Sequence, residues 1–473
     1  MSIEFIRQEV SDADKHWQTI CDITELKNLK GYLRKIKKPN GQVDDIRTTD
    51  YQEHAIFYGV ASKTSRGLVG TIYGKDPVVD MPSGLDYAIT NIDGNGIGIA
   101  QQSRAVCSDV IRFGRCGLWV DFAQTGGNLT LADQGQYFAT INRYKPWQII
   151  NWRQEQVGSS MKLSLVVLCE YRPKVDGFKV KSEKIYRQLE LVANEDGSGL
   201  VYQVIIWTFQ ETNSGGQGEW VPGPAVQPTD AQGQPFDFIP FGFVGSENND
   251  PSIDRAPMRD LVEINIGHYR NSADYEDTVF YAGQTQPYMT GATQQYFDLM
   301  DKQQFYIGSR QLMPVPEGGT FGFANPGANP TVRQAMIDKV ELMVSLGASF
   351  IDKSNAPRTA AEANSNDRTE TSELALIASN VTDAYSMALD WAARFQGSDS
   401  GQFELNSDFS AIMATPQMFT AWVKALIDGA VPFSEYAGWL QRNGLVDPEK
   451  TVEQLRDELE TDQLAGGAGL DTP

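Results

Sequence analysis

The chain has 473 residues, which is more than one compact core usually holds, so we expect several sub-structures. Hydrophobic residues make up 41% and charged residues 21%, proportions that are typical of a folded soluble protein. The 61 acidic and 40 basic residues give a formal net charge of −21, which argues against a general nucleic-acid coat because such coats are basic.

The N-terminal sequence "MSIEFIRQEV" lacks a basic segment followed by an apolar core, so we expect no signal peptide. No apolar run approaches the ~20 residues that cross a bilayer. These features predict a protein made in the cytoplasm, without a membrane segment. The cysteines are too few for a disulfide scaffold, and we expect free thiols at Cys21, Cys107, Cys116 and Cys169.

A basic run lies in "DITELKNLKGYLRKIKKP", and Pro39 ends it. A solvated helix face or loop is the simpler interpretation, and a phosphate-facing patch is the alternative. Its cations are Lys27, Lys30, Arg34, Lys35, Lys37 and Lys38.

Strand-like and helix-like segments follow. The segment "RFGRCGLWVDF" is apolar and punctuated by glycine, which predicts a buried strand. The segment "QYFATINRYKPWQIINWR" predicts a helix that ends before Pro146, and then a strand from Trp147 to Trp152. Residues 161–244 alternate with a period of two between Gly- and Asn-containing loops, which predicts an antiparallel meander.

Beyond residue 250 the pattern becomes helical. Asp254 is predicted to cap a helix with Pro257 in its first turn, and the apolar periodicity runs to Gly283. Residues 284–329 are rich in Gly and Pro and predict a small irregular α/β module.

Two more helices follow this module. Asn329 and Pro330 fit the cap and first position of one helix. The other begins at Thr371 or Ser372 and ends at Gly397. The polar stretch "IDKSNAPRTAAEANSNDRTE" separates them, and an acidic helical segment closes the chain.

A search for catalytic motifs finds little. The three histidines fall in different segments, and HExxH, GxxxxGK[ST] and GxSxG are absent. We expect His268 to be a packed or interface residue rather than a metal ligand. Capping and solvation explain the scattered carboxylates Asp254, Asp260 and Glu263. The sequence therefore predicts no enzyme, no metal site and no cofactor.

The combination of segments resembles the portal proteins of tailed bacteriophages, within a portal-like phage family whose members carry an "inW" segment and a "hYr…sad" helix. Four stretches carry this resemblance: "RFGRCGLWVDF", "WQIINWR", "IPFGFVGSENNDPSIDRAPMRDLVEINIGHYRNSADYEDTVFYAGQTQPYMTG" and "SLGASFIDKSNAPRTAAEANSNDRTETSELALIASNVTDAYSMALDWAARFQG". They are spread over roughly residues 100 to 440 and are specific as a set.

The resemblance implies an α+β portal fold that assembles as a dodecameric ring, with wing, stem, clip and crown regions. The implied regions are an N-terminal wing domain (1–254) with the meander at 161–244, an outgoing stem helix (255–283), a clip (284–329), a returning stem helix (330–352), a tunnel loop (353–370), a long wing helix (371–397) and a C-terminal wing and crown with an acidic tail (398–473).

It also implies two functional surfaces. The tunnel loop would face the DNA channel with Lys353, Asn355, Arg358, Asn364, Asn366 and Arg368. The clip would contact the terminase and adaptor proteins with Tyr296, Phe297, Lys302, Phe305 and Arg310.

The implied function is a channel at one capsid vertex for packaging and ejecting double-stranded DNA without sequence specificity. The implied partners are other copies of the chain in a homododecamer, the major capsid and scaffolding proteins, the terminase large subunit, and head–tail adaptor or tail proteins. The protein would reside in the virion at the portal vertex, and in the host cytoplasm during assembly. The alternatives are a structural virion or scaffold protein without a channel and, third, an unrecognised enzyme.

Overall fold

The fold mixes helices and antiparallel sheets, which confirms the α+β class. In this computed structural model the described residues are 2–122, 137–194, 199–211, 218–283, 286–300, 315–324, 330–351, 372–409, 432–442, 450–451 and 453–456. The predicted tunnel-loop residues and part of the predicted clip lie outside these ranges.

The elements alternate along the chain. The helices are α1 (Gln8–Glu25), α2 (Asp45–His54), α3 (Val60–Ile72), α4 (Ala88–Asn91), α5 (Ile99–Phe113), α6 (Arg259–Ala282), α7 (Gln294–Met300), α8 (Pro330–Ser349), α9 (Glu373–Gln396) and α10 (Phe433–Arg442). The strands are β1 (Val78–Asp80), β2 (Arg115–Phe122), β3 (Ala139–Tyr144), β4 (Ile149–Val157), β5 (Ser160–Asp176), β6 (Lys179–Ala193), β7 (Leu200–Glu211), β8 (Gly218–Pro222), β9 (Phe241–Gly245), β10 (Gln286–Met289), β11 (Phe321–Ala324) and β12 (Gln402–Glu404).

The chain divides into two compact units. The first contains Met1–Trp17, Thr64–Met258 and Ala348–Pro473, and the second contains Gln18–Lys63 and Arg259–Gly347. Each unit is therefore built from separate stretches of sequence.

The core of the first unit forms around β2. The segment predicted as a buried strand is confirmed, because β2 pairs with β3 on one side and β9 on the other and its first six residues are buried. Helix α9 packs on this sheet and on α5. The hydroxyl of Tyr385 on α9 donates to Oε1 of Gln102 at 2.9 Å, and the Gln102 amide donates to the Ile141 carbonyl at 2.6 Å. These two hydrogen bonds connect α9 to α5 and α5 to strand β3.

The ends of α9 agree with the sequence signals. Ser372 caps its first turn, because the side-chain oxygen accepts a hydrogen bond from the Ala375 N–H at 3.2 Å. Gly397 ends it with a φ of 66°, a left-handed conformation that glycine adopts without strain.

The helix predicted before Pro146 is wrong. Residues Ala139–Tyr144 form β3, and Ala139 and Ile141 face the core while Thr140 and Asn142 are half-buried. This alternation is the period of a strand, and Pro146 ends a strand as readily as a helix.

The five-stranded sheet has the order β4-β5-β6-β7-β8, with every neighbouring pair antiparallel. Within the predicted meander of 161–244, the last apolar run belongs elsewhere. Strand β9 pairs with β2 in the three-stranded sheet, while β4 supplies the first strand of the five-stranded one. Antiparallel patterning predicts strands but does not fix which sheet each joins.

The predicted role of Asp254 as a helix cap is also wrong. Helix α6 begins at Arg259, and Oδ2 of Asp254 instead accepts a hydrogen bond of 2.8 Å from the Glu247 N–H. Burial raises the pKa of the Asp254 carboxyl, while bonds from backbone N–H groups oppose that rise. Asp254 thus holds the turn that follows β9.

Candidate functional site

The candidate site lies in the second unit, where a small module separates two long helices. The chain leaves α6, forms the antiparallel hairpin of β10 and β11, and returns through α8. The hairpin is closed at one end by two threonines, since the Thr290 N–H donates to the Thr320 carbonyl at 2.9 Å and their hydroxyls are 2.8 Å apart. The module's first and last strands are therefore held side by side.

Helix α6 is anchored by a fully buried asparagine. Oδ1 of Asn265 accepts from the Ala61 N–H at 3.1 Å, and Nδ2 donates to the Tyr58 carbonyl at 2.8 Å. Asn265 is 0% exposed, so these bonds satisfy groups that water cannot reach. The amide thereby fixes the register between α6 and the chain that enters α3.

One turn further along α6, His268 is also buried. Its ring meets the Tyr58 ring edge-on, with centroids 4.7 Å apart. Burial lowers the pKa of His268, and the nearby Lys339 lowers it further. The packed role expected for His268 agrees with this geometry.

Two aspartates extend the anchoring toward the end of α6. Oδ1 of Asp274 accepts from the Tyr51 hydroxyl and from Arg34, both at 2.8 Å. Burial, followed by the bond to Asp274, raises the pKa of Tyr51 to about 12. Arg47 donates to Oδ2 of Asp277 at 2.6 Å and lies over the Tyr281 ring.

These contacts clarify the basic run near residue 30. The segment contains a short 3-10 helix, Leu29–Tyr32, followed by extended chain, so it fits the loop rather than the helix face of the simpler interpretation. Lys27 pairs with Glu25 at 2.6 Å, and Lys30 lies 3.8 Å from Glu53. With the pair of Arg34 and Asp274, three of the six cations therefore lie beside carboxylates of the protein itself.

The aspartates that receive Arg34 and Arg47 were not identified from the sequence. Each ion pair joins residues that lie 240 and 230 positions apart, respectively. No local spacing rule links such partners. Only the alternation of acids with apolar residues along α6 could have marked Asp274 and Asp277 as facing a neighbour.

Helix α8 differs sharply from α6 in burial. Of its described side chains only Met343 is buried, although the helix has 20 residues. Ile337 is 42% exposed, Leu342 is 49% exposed and Val344 is 63% exposed. At Gly267 of α6 a Cβ would lie 3.3 Å from Cε of Lys339, so the lysine stem covers that glycine. Three large apolar side chains of α8 therefore face solvent in the described structure.

The predicted clip residues are only partly within the described chain. Tyr296 and Phe297 lie on α7, where their ring centroids are 6.3 Å apart and Phe297 is exposed. Lys302, Phe305 and Arg310 lie outside the described residues. So do all the predicted tunnel-loop residues, namely Lys353, Asn355, Arg358, Asn364, Asn366 and Arg368.

Among the described residues, no group of three or more His, Cys, Asp or Glu side chains is arranged to hold a metal ion. The cysteines Cys21, Cys107, Cys116 and Cys169 carry free thiols, as expected. Within the same part of the chain, no helix combines the length and apolarity needed to cross a membrane.

Comparison with known proteins gives few matches in sequence and some in structure. No curated protein matches the chain. A chain from the virion of a native gene transfer agent particle is similar, with 13% identity and a TM-score of 0.36 over 85% of this chain and 93% of that one. A chain from the neck of an empty gene transfer agent particle, computed with C6 symmetry, has 13% identity and a TM-score of 0.35 over the same shares. Residues 257–396 match a family model described as a domain of unknown function, DUF4055.

Proposed function

We propose that this chain is the subunit of a portal, a ring-shaped channel at one capsid vertex through which double-stranded DNA is packaged and ejected. The observation that carries the proposal is that α8 buries so few of its side chains. A helix of 20 residues with one buried side chain and three exposed aliphatic ones gains little stability within a single copy. Its apolar surface fits burial against other copies.

The exposed aliphatic side chains of α8 lie on two faces. At about 100° per residue, Ile337 and Val344 lie within about 20° of each other, and Leu342 lies about 140° from Ile337. A helix in a closed ring is flanked by a copy on each side and so buries two different faces. Near the end of α6, Val279 and Phe280 are also exposed, at 42% each.

The proposed channel needs weak contacts with DNA. Tight phosphate binding would stall a moving duplex, whereas a few cations repeated around a ring give contacts that form and break readily. We assign this role to the loop 353–370, in which Lys353, Arg358 and Arg368 stand among asparagine and serine. The net charge of −21 would limit any stronger grip.

The proposal assigns no catalysis to the chain. Energy for packaging would come from a separate terminase that docks on the module between α6 and α8, with Tyr296 and Phe297 among the contacting side chains. Capsid and scaffolding proteins would hold the ring at the vertex, and adaptor or tail proteins would replace the terminase after packaging.

Electron microscopy of the purified chain tests this function. The expected image is a ring with a central hole and rotational symmetry near twelve-fold. A particle that stays a monomer or dimer at every salt concentration would overturn the proposal. A closed assembly without a hole would favour the alternative of a structural virion or scaffold protein.

Variants of α8 test the observation itself. Ile337→Asp combined with Val344→Asp places two charges on one apolar face, so we expect rings to be lost while the monomer stays folded. Ser345→Asp is the matched control, because Ser345 is exposed and polar and its side chain points between the two faces. Equal assembly of the double variant and the control would remove the support that α8 gives.

Charge reversal of the loop tests the channel separately. Arg358→Glu with Arg368→Glu is expected to leave ring assembly intact and to reduce packaged DNA. A fall in the number of rings, with a normal amount of DNA packaged in each ring that forms, would instead assign the loop a structural role.

A further inference from the structure

Strands β5 and β6 extend well beyond the five-stranded sheet. Strand β4 pairs with β5 only as far as Leu168, and β7 pairs with β6 only from Ile185 onward. Pairing between β5 and β6 nevertheless continues to Asp176 and Lys179. Residues 171–184 therefore form a two-stranded ribbon with no flanking strand in the described part of the chain. We name this ribbon the arm.

The two faces of the arm differ in chemistry. Residues directly opposite each other in an antiparallel pair share a face. One face carries the opposed pair Val175 and Val180, which are 70% and 69% exposed, and ends at the opposed pair Tyr171 and Lys184. The turn adds Phe178, which is fully exposed. An apolar ribbon of this kind is costly in water and marks a surface that packs against protein.

The other face of the arm is basic. Lys174 and Lys181 stand directly opposite each other, an arrangement of like charges that destabilises a strand pair. Glu183 binds Lys174 at 2.8 Å and relieves part of this repulsion. The arm carries five cations and two acids in a chain whose net charge is −21: Arg172, Lys174, Lys179, Lys181 and Lys184 against Asp176 and Glu183. Its charge therefore complements the rest of its own chain.

A stripe of the opposite character lies on α9. Leu376 and Met387 are each 36% exposed, and Asp383 and Asp390 are exposed beside them. At about 100° per residue, all four lie within about 60° around the helix. The stripe extends ~21 Å along the axis, and six strand residues of the arm extend ~20 Å. The arm and the stripe thus agree in length, and each combines apolar side chains with charges, basic on the arm and acidic on the stripe.

We propose that the arm of one copy docks on the α9 stripe of a second copy. The apolar face packs on Leu376 and Met387, and the flexible stems of Lys174 and Lys181 carry their ammonium groups round the ribbon edges to the two aspartates. The contact is heterologous, with different surfaces on the two copies, and repeats around a closed ring. The inference rests on the proposed function for its assumption that copies associate. A duplex would meet the lysines but offers no apolar surface for the valines, so protein is the favoured partner.

Charge reversal provides the test. The arm variant is Lys174→Glu with Lys181→Glu, and the stripe variant is Asp383→Lys with Asp390→Lys. Each variant alone brings like charges together, so we expect the protein concentration for half-maximal assembly to rise about tenfold or more. A mixture of the two variants pairs opposite charges at every contact, and we expect it to restore rings in which the variants alternate. Mass photometry and electron microscopy give the readouts.

The control carries the same charge change elsewhere in the first unit, with Arg66→Glu and Lys75→Glu at exposed positions. It should assemble like the original chain. If the arm variant does not fold, the pair Val175→Cys and Met387→Cys is used instead, and oxidation should give ladders of cross-linked copies that neither single cysteine gives.

Other outcomes overturn the inference in distinguishable ways. Rings formed equally well by the arm variant overturn the docking but leave the portal proposal standing. An original chain that does not self-associate overturns both. Binding of a 30-base-pair duplex that the arm variant loses, with rings unaffected, would assign the arm to nucleic acid. Failure of the mixture to restore rings, with both variants folded, would also contradict docking on α9.

Discussion

Arg47 on α2 donates a hydrogen bond of 2.6 Å to Asp277 on α6, and the two side chains are only 27% and 17% exposed. The guanidinium also lies 4.7 Å from the centre of the Tyr281 ring. A pair so shielded from water differs from the exposed pair of Arg34 and Asp274, whose side chains are 65% and 40% exposed. Both pairs join the N-terminal stretch of the second unit to α6, so their contributions can be compared.

Replacing Asp277 by Asn keeps the shape of the side chain but leaves the Arg47 charge half-buried without its anion. We expect the free energy of unfolding to fall by about 1–3 kcal/mol, measured by urea denaturation. Arg34→Met is the control, and its exposed pair is expected to contribute below about 1 kcal/mol. Equal losses in the two variants would contradict this account of shielding.

The buried His268 should make stability depend on pH. Its folded pKa lies below the ordinary value of 6.5, so the unfolded chain binds the proton more tightly. The stabilising contribution of neutral His268 is complete above about pH 6.5 and falls as the pH drops below that value. Urea denaturation between pH 5 and 8 measures this slope.

His268→Phe retains a ring beside Tyr58 but cannot titrate, so the slope should flatten. His16 and His54 are present in both proteins and serve as the internal background. A variant with the slope of the original chain would show that the pH dependence arises at another residue.

Alanine substitutions at two glycines with positive φ distinguish the cost of backbone strain from the cost of steric crowding. Gly114 has a φ of 77°, and a Cβ there would lie 2.9 Å from the Arg255 carbonyl oxygen. Gly96 has a φ of 84°, and a Cβ there would meet nothing within 4 Å. Gly96→Ala should cost about 1 kcal/mol through backbone conformation alone, whereas Gly114→Ala should cost clearly more. Thermal unfolding compares them, and equal shifts would refute the crowding at Gly114.

The cap of α9 offers a further measurement. Ser372→Ala removes the acceptor for the Ala375 N–H, so we expect a loss of about 0.5–2 kcal/mol in the free energy of unfolding. Ser372→Asp keeps an acceptor at this position and should behave like the original chain. If the Asp variant were as destabilised as the Ala variant, the hydroxyl would be acting through packing rather than capping.

Local signals in the sequence predicted the ends of α9 and the buried strand β2, because a capping serine, a terminal glycine and a long apolar run each act within a few residues. They failed at β3 because Pro146 ends either kind of element. They also failed at Asp254, whose carboxylate found the Glu247 N–H instead of a helix terminus. The partners of Arg34 and Arg47 depend on contacts between distant segments, which a single chain's spacing does not encode. The arm could have been recognised from alternating lysine and valine around Gly177.

The division of the second unit into two stretches of sequence has a consequence for synthesis. Leu33 and Tyr51 share a buried cluster with Tyr269 and Ala273, which emerge from the ribosome more than two hundred residues later. At ~5–20 residues per second, the first stretch waits roughly 10–50 s for its partner. During that interval its apolar side chains are available to chaperones or to neighbouring nascent chains. When many ribosomes translate one messenger RNA, the incomplete chains would therefore be prone to associate through this unit before its second stretch is synthesised.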